Sequence, residues 1–123
     1  KDETNTNRSD FAEKFRALSQ HIIHHAEALS AGPSSKQHML GQANGLNFAA
    51  SLLSDPGMNI EDVTRRIRER SERLNDSLQT QEFSEGLLQF MTGEKTALNR
   101  SADVIDKWVE VNDFLETEVR FMA

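Results

Sequence analysis

Apolar residues recur three and four positions apart through most of this 123-residue chain, and this spacing constrains the fold more than any other feature. Residues at that spacing share one face of an α-helix, whereas a strand needs apolar and polar residues in alternation. The pattern is interrupted at Gly32-Pro33 and at Asp55-Pro56-Gly57, and such combinations end helices. The sequence therefore predicts an all-α fold, an antiparallel helical bundle of four to five helices with a long C-terminal helix.

The first helix is predicted to begin at Ser9 and Asp10, whose side chains can cap its first turn, and to end at Gly32-Pro33. Its predicted buried stripe comprises Phe11, Phe15, Leu18, Ile22, His25 and Leu29. The polar residues 1 to 8 are predicted to form a disordered tail. Residues 9 to 123 are then one helical domain, since the chain is long enough for a single core.

Two further helices have clear starting signals. Pro33 suits the first position of the second helix, and Asn59 can cap the third, which has Asp62 in its first turn. Residues 80 to 122 are helical by pattern, but Gly93 predicts a break or kink after Thr92. We read two helices, of about 81 to 92 and 94 to 122, and one bent helix is the alternative that the sequence leaves open. The last helix has an apolar seam close to the 3.5-residue repeat of packed helices, which includes Trp108, Val111, Leu115 and Met122.

Three small residues lie four apart in the second helix: Gly41, Gly45 and Ala49. Positions four apart share a face, so these residues predict a shallow groove that another helix can approach closely. Either a helix of the same chain fills this groove, or a second copy or a partner protein does. The second alternative makes the three residues an interface, together with the seam of the last helix.

Histidines offer the sharpest chemical hypothesis. His21 and His25 are four apart in the sequence HIIHHAE, with His24 between them, and His38 follows in the next helix. Imidazoles at this spacing can reach one metal ion, and zinc or nickel would suit them, although the sequence as a whole leads us to expect no cofactor. Against this, the stretch lacks the glutamate of HExxH, and a structural zinc site usually needs four ligands.

Arginines are dense in RRIRERSER, residues 65 to 73, but acidic residues four positions before several of them predict a solvated, salt-bridged face. Arg70 is the exception, because it falls on the apolar stripe. It could pair across an interface or hold an anionic ligand there.

Residues 103 to 118 contain six acidic side chains and the single base Lys107. This run of negative charge is typical of a solvated outer face, and it could also occupy a basic site on another protein. Trp108, the only tryptophan, is expected to anchor the core or an interface because its large ring buries much apolar area.

Composition narrows the function classes. The net charge of −6 argues against general binding to nucleic acid, which depends on Lys and Arg. There is no cysteine, and no apolar run is long enough to span a bilayer. A cytoplasmic protein is expected, although the chain begins at Lys1 and a cleaved leader would also fit. Phosphate-binding loops and nucleophile elbows are missing, so we expect no enzyme.

These features together predict a small acidic helical module for protein–protein interaction, and we expect it to form a homo-oligomer. In type it resembles accessory proteins of bacteriophages and mobile elements, among them inhibitors that occupy a partner surface. Two alternatives stay open: a histidine-based metal-binding protein, and a binder or sponge for a small anionic ligand that uses Arg70 and neighbouring arginines.

Overall fold

A computed structural model describes residues 2 to 28 and 32 to 122, with side chains described for residues 8 to 28, 32, 34 to 115 and 117. It contains four α-helices: α1 Asp2–Ala28, α2 Pro33–Leu53, α3 Ile60–Thr80 and α4 Glu85–Met122. The described ranges contain no strand. The prediction of an all-α bundle with a long C-terminal helix is therefore confirmed.

Helices α2 and α4 form the centre of the bundle, with α1 packed on α2 and α3 packed on α4. Hydrogen bonds from Arg8 to Asp55 and from Ser19 to Ala43 show that α1 and α2 are antiparallel. The core lies between the helices, and its largest fully buried apolar side chains are Val63, Ile67, Leu98 and Ile105.

Helices α2 and α4 pack so closely that their backbones touch. A Cβ atom at Gly41 would overlap the carbonyl oxygen of Phe90, and one at Gly93 would overlap that of His38. A Cβ atom at Gly45 would lie 2.9 Å from the carbonyl oxygen of Glu94. Each glycine costs its helix about 1 kcal/mol of intrinsic propensity, and the close packing of the two helices compensates for it.

The predicted break after Thr92 is wrong, because α4 continues through Gly93. Glycine weakens a helix in isolation, yet here the absent side chain is what lets His38 of α2 approach α4. A glycine in the sequence can therefore indicate either a helix break or a close contact between two helices.

Helix α1 begins at Asp2, earlier than the predicted start at Ser9, so residues 2 to 8 continue the helix rather than forming the predicted disordered tail. The side chain of Arg8 is buried, and its guanidinium donates a hydrogen bond of 3.1 Å to the carbonyl oxygen of Asp55. This contact ties the early turns of α1 to the end of α2, whereas Ser9 and Asp10 are exposed.

The buried stripe of α1 is rotated only in part from the predicted one. Phe15 is buried and Phe11 and Ile22 are half-buried against the core, as predicted. Ala12, Ser19 and Ala26 are also buried, whereas Leu18 is 47% exposed and His25 is exposed; Leu29 lies outside the described residues. The Oγ of Ser19 donates to the carbonyl oxygen of Ala43 over 3.1 Å. The small side chains of Ala12, Ser19 and Ala26 let α1 approach its neighbours closely.

The starts of α2 and α3 agree with prediction. Pro33 occupies the first turn of α2. The Oδ1 of Asn59 accepts a hydrogen bond of 2.8 Å from the backbone N–H of Asp62, which satisfies a donor that the helix itself leaves free.

Candidate protein-binding surface on α4

The small-residue groove on α2 is filled by α4 of the same chain. Gly41, Gly45 and Ala49 are all buried, and the first two contact the α4 backbone. This is the first of the two alternatives that the sequence left open. The prediction that these three residues form an interface with a second copy or a partner is therefore corrected: no room is left for another helix on that face.

Trp108 packs within the chain but only in part. Its ring centroid lies 4.9 Å from that of Phe11, which in turn meets Phe15 edge to face at 6.2 Å. The side chain of Trp108 is half-buried against the core. It therefore anchors α4 to α1 and retains an exposed edge.

Beyond Trp108, α4 presents large apolar side chains to solvent. Val111 is 45% exposed, Leu115 52% and Phe114 61%. Residues three and four apart lie side by side on a helix, so these three side chains form one patch. We call it the distal surface. Met122, which the sequence placed in the same seam, has its side chain outside the described residues.

The distal surface begins where the packing of α4 against its neighbours ends. Ile60, the first residue of α3, lines a depression together with Val109 and Glu110 of α4. After Glu110, the described side chains of α4 are exposed except for Asn112, which is half-buried. An apolar patch on a helix that extends past its own bundle is typical of a contact surface.

The acidic run on α4 divides into two parts. Arg68 of α3 donates to Asp103 and Asp106 over 3.2 and 2.5 Å, so the charge nearer the bundle is partly neutralised. Lys107 lies 3.9 Å from Glu110. Residues 110 to 118 contain four acidic residues and no basic one. The distal surface is therefore apolar with a negatively charged border.

Arg70 is engaged inside the fold. Its Nε lies 2.6 Å from the Oε2 of Glu94, whose side chain is only 4% exposed. The guanidinium also stacks over the Phe48 ring at 4.6 Å from the centroid. Glu94 is a buried carboxylate that needs a partner, so the role predicted for Arg70, holding an anionic ligand, is replaced by this ion pair.

The rest of the arginine-rich segment forms the predicted salt-bridged face, with different pairing. Arg65 lies between Asp62 and Glu69, at 2.8 and 3.3 Å. The guanidinium of Arg65 donates hydrogen bonds to the carboxylates of Asp62 and Glu69, and these bonds, that to Asp62 most, raise its pKa. The observed pairs are therefore an acid-first pair at i,i+3 and a base-first pair at i,i+4, rather than the acid-first pairs at i,i+4 that the sequence suggested.

The histidines are not brought together as a ligand set. The rings of His21 and His25 are parallel, with centroids 6.5 Å apart, and both are exposed, as is His24. His38 lines a depression with Met39 and Gln89, between α2 and α4. Over the described residues, no group of three or more His, Asp or Glu side chains could hold a metal ion.

Sequence reasoning did not identify Glu94 as the partner of Arg70, nor Arg8 as a buried residue. Glu94 follows Gly93 directly. The position of an acidic residue next to a glycine in a helix contact was the one sequence feature that could have indicated its burial. Arg8 carried none, since it lies in a polar stretch.

Comparison of the chain with protein-family models, with curated proteins and with solved structures returns no match. None of the helices in the described ranges combines the length and the apolar character needed to cross a bilayer.

Proposed function

We propose that this protein is a non-enzymatic interaction module, and that its distal surface binds a basic amphipathic helix of a partner protein. The observation that carries the proposal is the exposure of Val111, Phe114 and Leu115 together on α4. Full burial of one such side chain stabilises a complex by about 1.5 to 3 kcal/mol, so covering all three is a substantial driving force.

A helix is the expected binding element because the surface is itself helical. An amphipathic partner helix can insert residues at i, i+3, i+4 and i+7 between the apolar side chains of α4. Trp108 borders the distal surface and keeps part of its ring exposed, so it can extend the contact toward the bundle. Aromatic residues of this kind often contribute most of the binding energy of an interface.

The charge of the border selects the partner. Glu110 and Asp113 lie beside the exposed apolar residues, and residues 110 to 118 contain no base. Lysines or arginines flanking the apolar face of a partner helix would meet these carboxylates and accelerate association. A second copy centred on Phe114 would instead bring acidic residues against acidic residues in either orientation. We therefore favour a heterologous partner over the homo-oligomer.

The experiment titrates the protein with a synthetic Leu/Lys heptad peptide that lacks tryptophan and follows the emission of Trp108. A Leu/Glu peptide with the same apolar positions is the matched ligand control. Leu115→Gln and Leu87→Gln form a matched pair of variants. Both leucines are exposed, at 52% and 46%, and they lie about 42 Å apart along the same helix.

We expect the Leu/Lys peptide to shift Trp108 emission saturably and the Leu/Glu peptide to have no effect. Leu115→Gln should weaken binding about tenfold, whereas Leu87→Gln should leave it unchanged. Equal binding by both variants would contradict the proposal, because it would show that the peptide is held by the net charge of the protein alone. A sedimentation profile at twice the monomer mass without peptide would favour a second copy instead.

A further inference from the structure

We propose that the groove between α1 and α4 binds a small amphipathic molecule with an apolar body and one carboxylate group. This site is separate from the distal surface. Helices α1 and α4 both pack on α2, and over the described residues no Cα atom of α1 comes within 8 Å of a Cα atom of α4. The resulting groove encloses about 400 Å³, which lies in the range typical of small-molecule sites.

The groove has an apolar interior. Leu46 of α2 and Ala97 of α4 line it and are buried, while Leu18 and Val104 line it from opposite helices and are 47% and 45% exposed. Large apolar side chains exposed on both walls of a groove favour the binding of an apolar group that removes them from water. An aliphatic or aromatic body of a ligand would cover both at once.

Ser101 gives the groove an unsatisfied polar group. It lines the groove, its residue is 2% exposed, and its Oγ has no hydrogen-bond partner. A buried hydroxyl without a hydrogen-bond partner is destabilising, so such groups usually mark a bound water or ligand. The serine side chain has three staggered rotamers, through which its hydroxyl can meet a ligand atom in the groove.

Arg100 indicates the charge of the ligand. It lines the same groove, its side chain is exposed, and the described residues give it no ion-pair partner. A guanidinium binds a carboxylate through two parallel hydrogen bonds. Gln42 adds an amide to the same lining. One apolar cavity with a few convergent polar groups is the arrangement expected of a binding site for an amphipathic anion.

The test uses isothermal titration calorimetry with decanoate and with decanol, which has the same chain length but no charge. Arg100→Gln removes the cation from the groove, and Arg73→Gln removes an exposed arginine from α3 as the matched control. Val104→Glu places a carboxylate at the rim, at a position exposed enough to accept it.

We expect decanoate to bind saturably with one site per chain, and more tightly than decanol. Arg100→Gln should weaken decanoate binding about tenfold and leave decanol binding unchanged, while Arg73→Gln changes neither. Val104→Glu should weaken decanoate binding more than decanol binding, because the added charge repels the ligand.

Three results would overturn the proposal: no saturable decanoate binding, equal affinities for decanoate and decanol, or an equal loss in Arg100→Gln and Arg73→Gln. If Arg100→Gln bound neither decanoate nor decanol, the substitution would have changed the shape of the groove. The binding of decanoate to Val104→Glu would then test whether the ligand lies in this groove. Unchanged decanoate binding in Val104→Glu would then overturn the assignment of this groove.

Discussion

Gly41 lies directly against the carbonyl oxygen of Phe90, so the backbones of α2 and α4 touch at this point. The reciprocal contact joins Gly93 of α4 to the carbonyl oxygen of His38. Two glycines on opposite helices thus create one close crossing. The small residues of α2 therefore serve the packing of α4 of the same chain.

Substitution of either glycine should separate the two central helices. We expect Gly41→Ala and Gly93→Ala each to lower the free energy of unfolding by about 3 kcal/mol, because the new Cβ meets backbone that cannot give way. Urea denaturation followed by circular dichroism measures this change.

Gly86→Ala is the matched control for these two variants. A Cβ atom at Gly86 would lie 3.7 Å from the Cγ of Gln37, an ordinary contact, so we expect stability to stay the same or to rise by up to about 1 kcal/mol. Wild-type stability in Gly41→Ala would contradict the close crossing.

The ion pair between Arg70 and Glu94 should be a coupled unit. We expect Arg70→Gln to lower the free energy of unfolding by about 2 kcal/mol, because it leaves the buried carboxylate of Glu94 without a partner. The loss should be smaller than for a fully buried ion pair, since the Arg70 side chain is 37% exposed. Adding Glu94→Gln should recover part of this loss, since it removes the unpaired charge. A double-mutant cycle in urea measures the coupling.

Arg66→Gln serves as the control for this cycle, because Arg66 is exposed and lies on the same helix. It should change stability by less than about 0.5 kcal/mol. Strict additivity of Arg70→Gln and Glu94→Gln would show that the two side chains do not interact in solution.

Local chemistry made the starts of α2 and α3 predictable. Pro33 and Asn59 act through their own backbone and first turn, so their neighbours in sequence are sufficient to identify them. Gly93 was misread because its role depends on His38, a residue far away in the sequence. The exposure of Phe114 could not be predicted for the same reason. It depends on the point along α4 that lies beside the first residue of α3, and this is a contact between distant parts of the sequence.

The rotated face of α1 gives a further prediction. Leu18→Ala should cost less than about 1 kcal/mol because the side chain is 47% exposed. Ala26→Leu should cost about 1 to 3 kcal/mol, because Ala26 is 1% exposed at a close contact. The stripe predicted from the sequence, which includes Leu18 and leaves out Ala26, would give the reverse order. Thermal unfolding of both variants separates the two registers, and a larger loss in Leu18→Ala would support the register inferred from sequence.

Zinc binding can be tested on the histidine pair. His21 and His25 face one another on the surface of α1, and the described residues supply no third ligand. We expect EDTA to leave the midpoint of thermal unfolding unchanged, since two exposed imidazoles do not make a structural zinc site. A midpoint that falls with EDTA in the wild type, but not in His21→Ala with His25→Ala, would favour the metal-binding alternative.

The central claim, that the distal surface of α4 binds a basic amphipathic helix, is tested most directly by mapping the contact residue by residue. Amide chemical shifts of ¹⁵N-labelled protein would be recorded during titration with the Leu/Lys peptide. We predict that the largest changes fall on residues 108 to 117, around Val111, Phe114 and Leu115. Changes centred near Leu87, or spread evenly over the acidic residues of the chain, would contradict the claim.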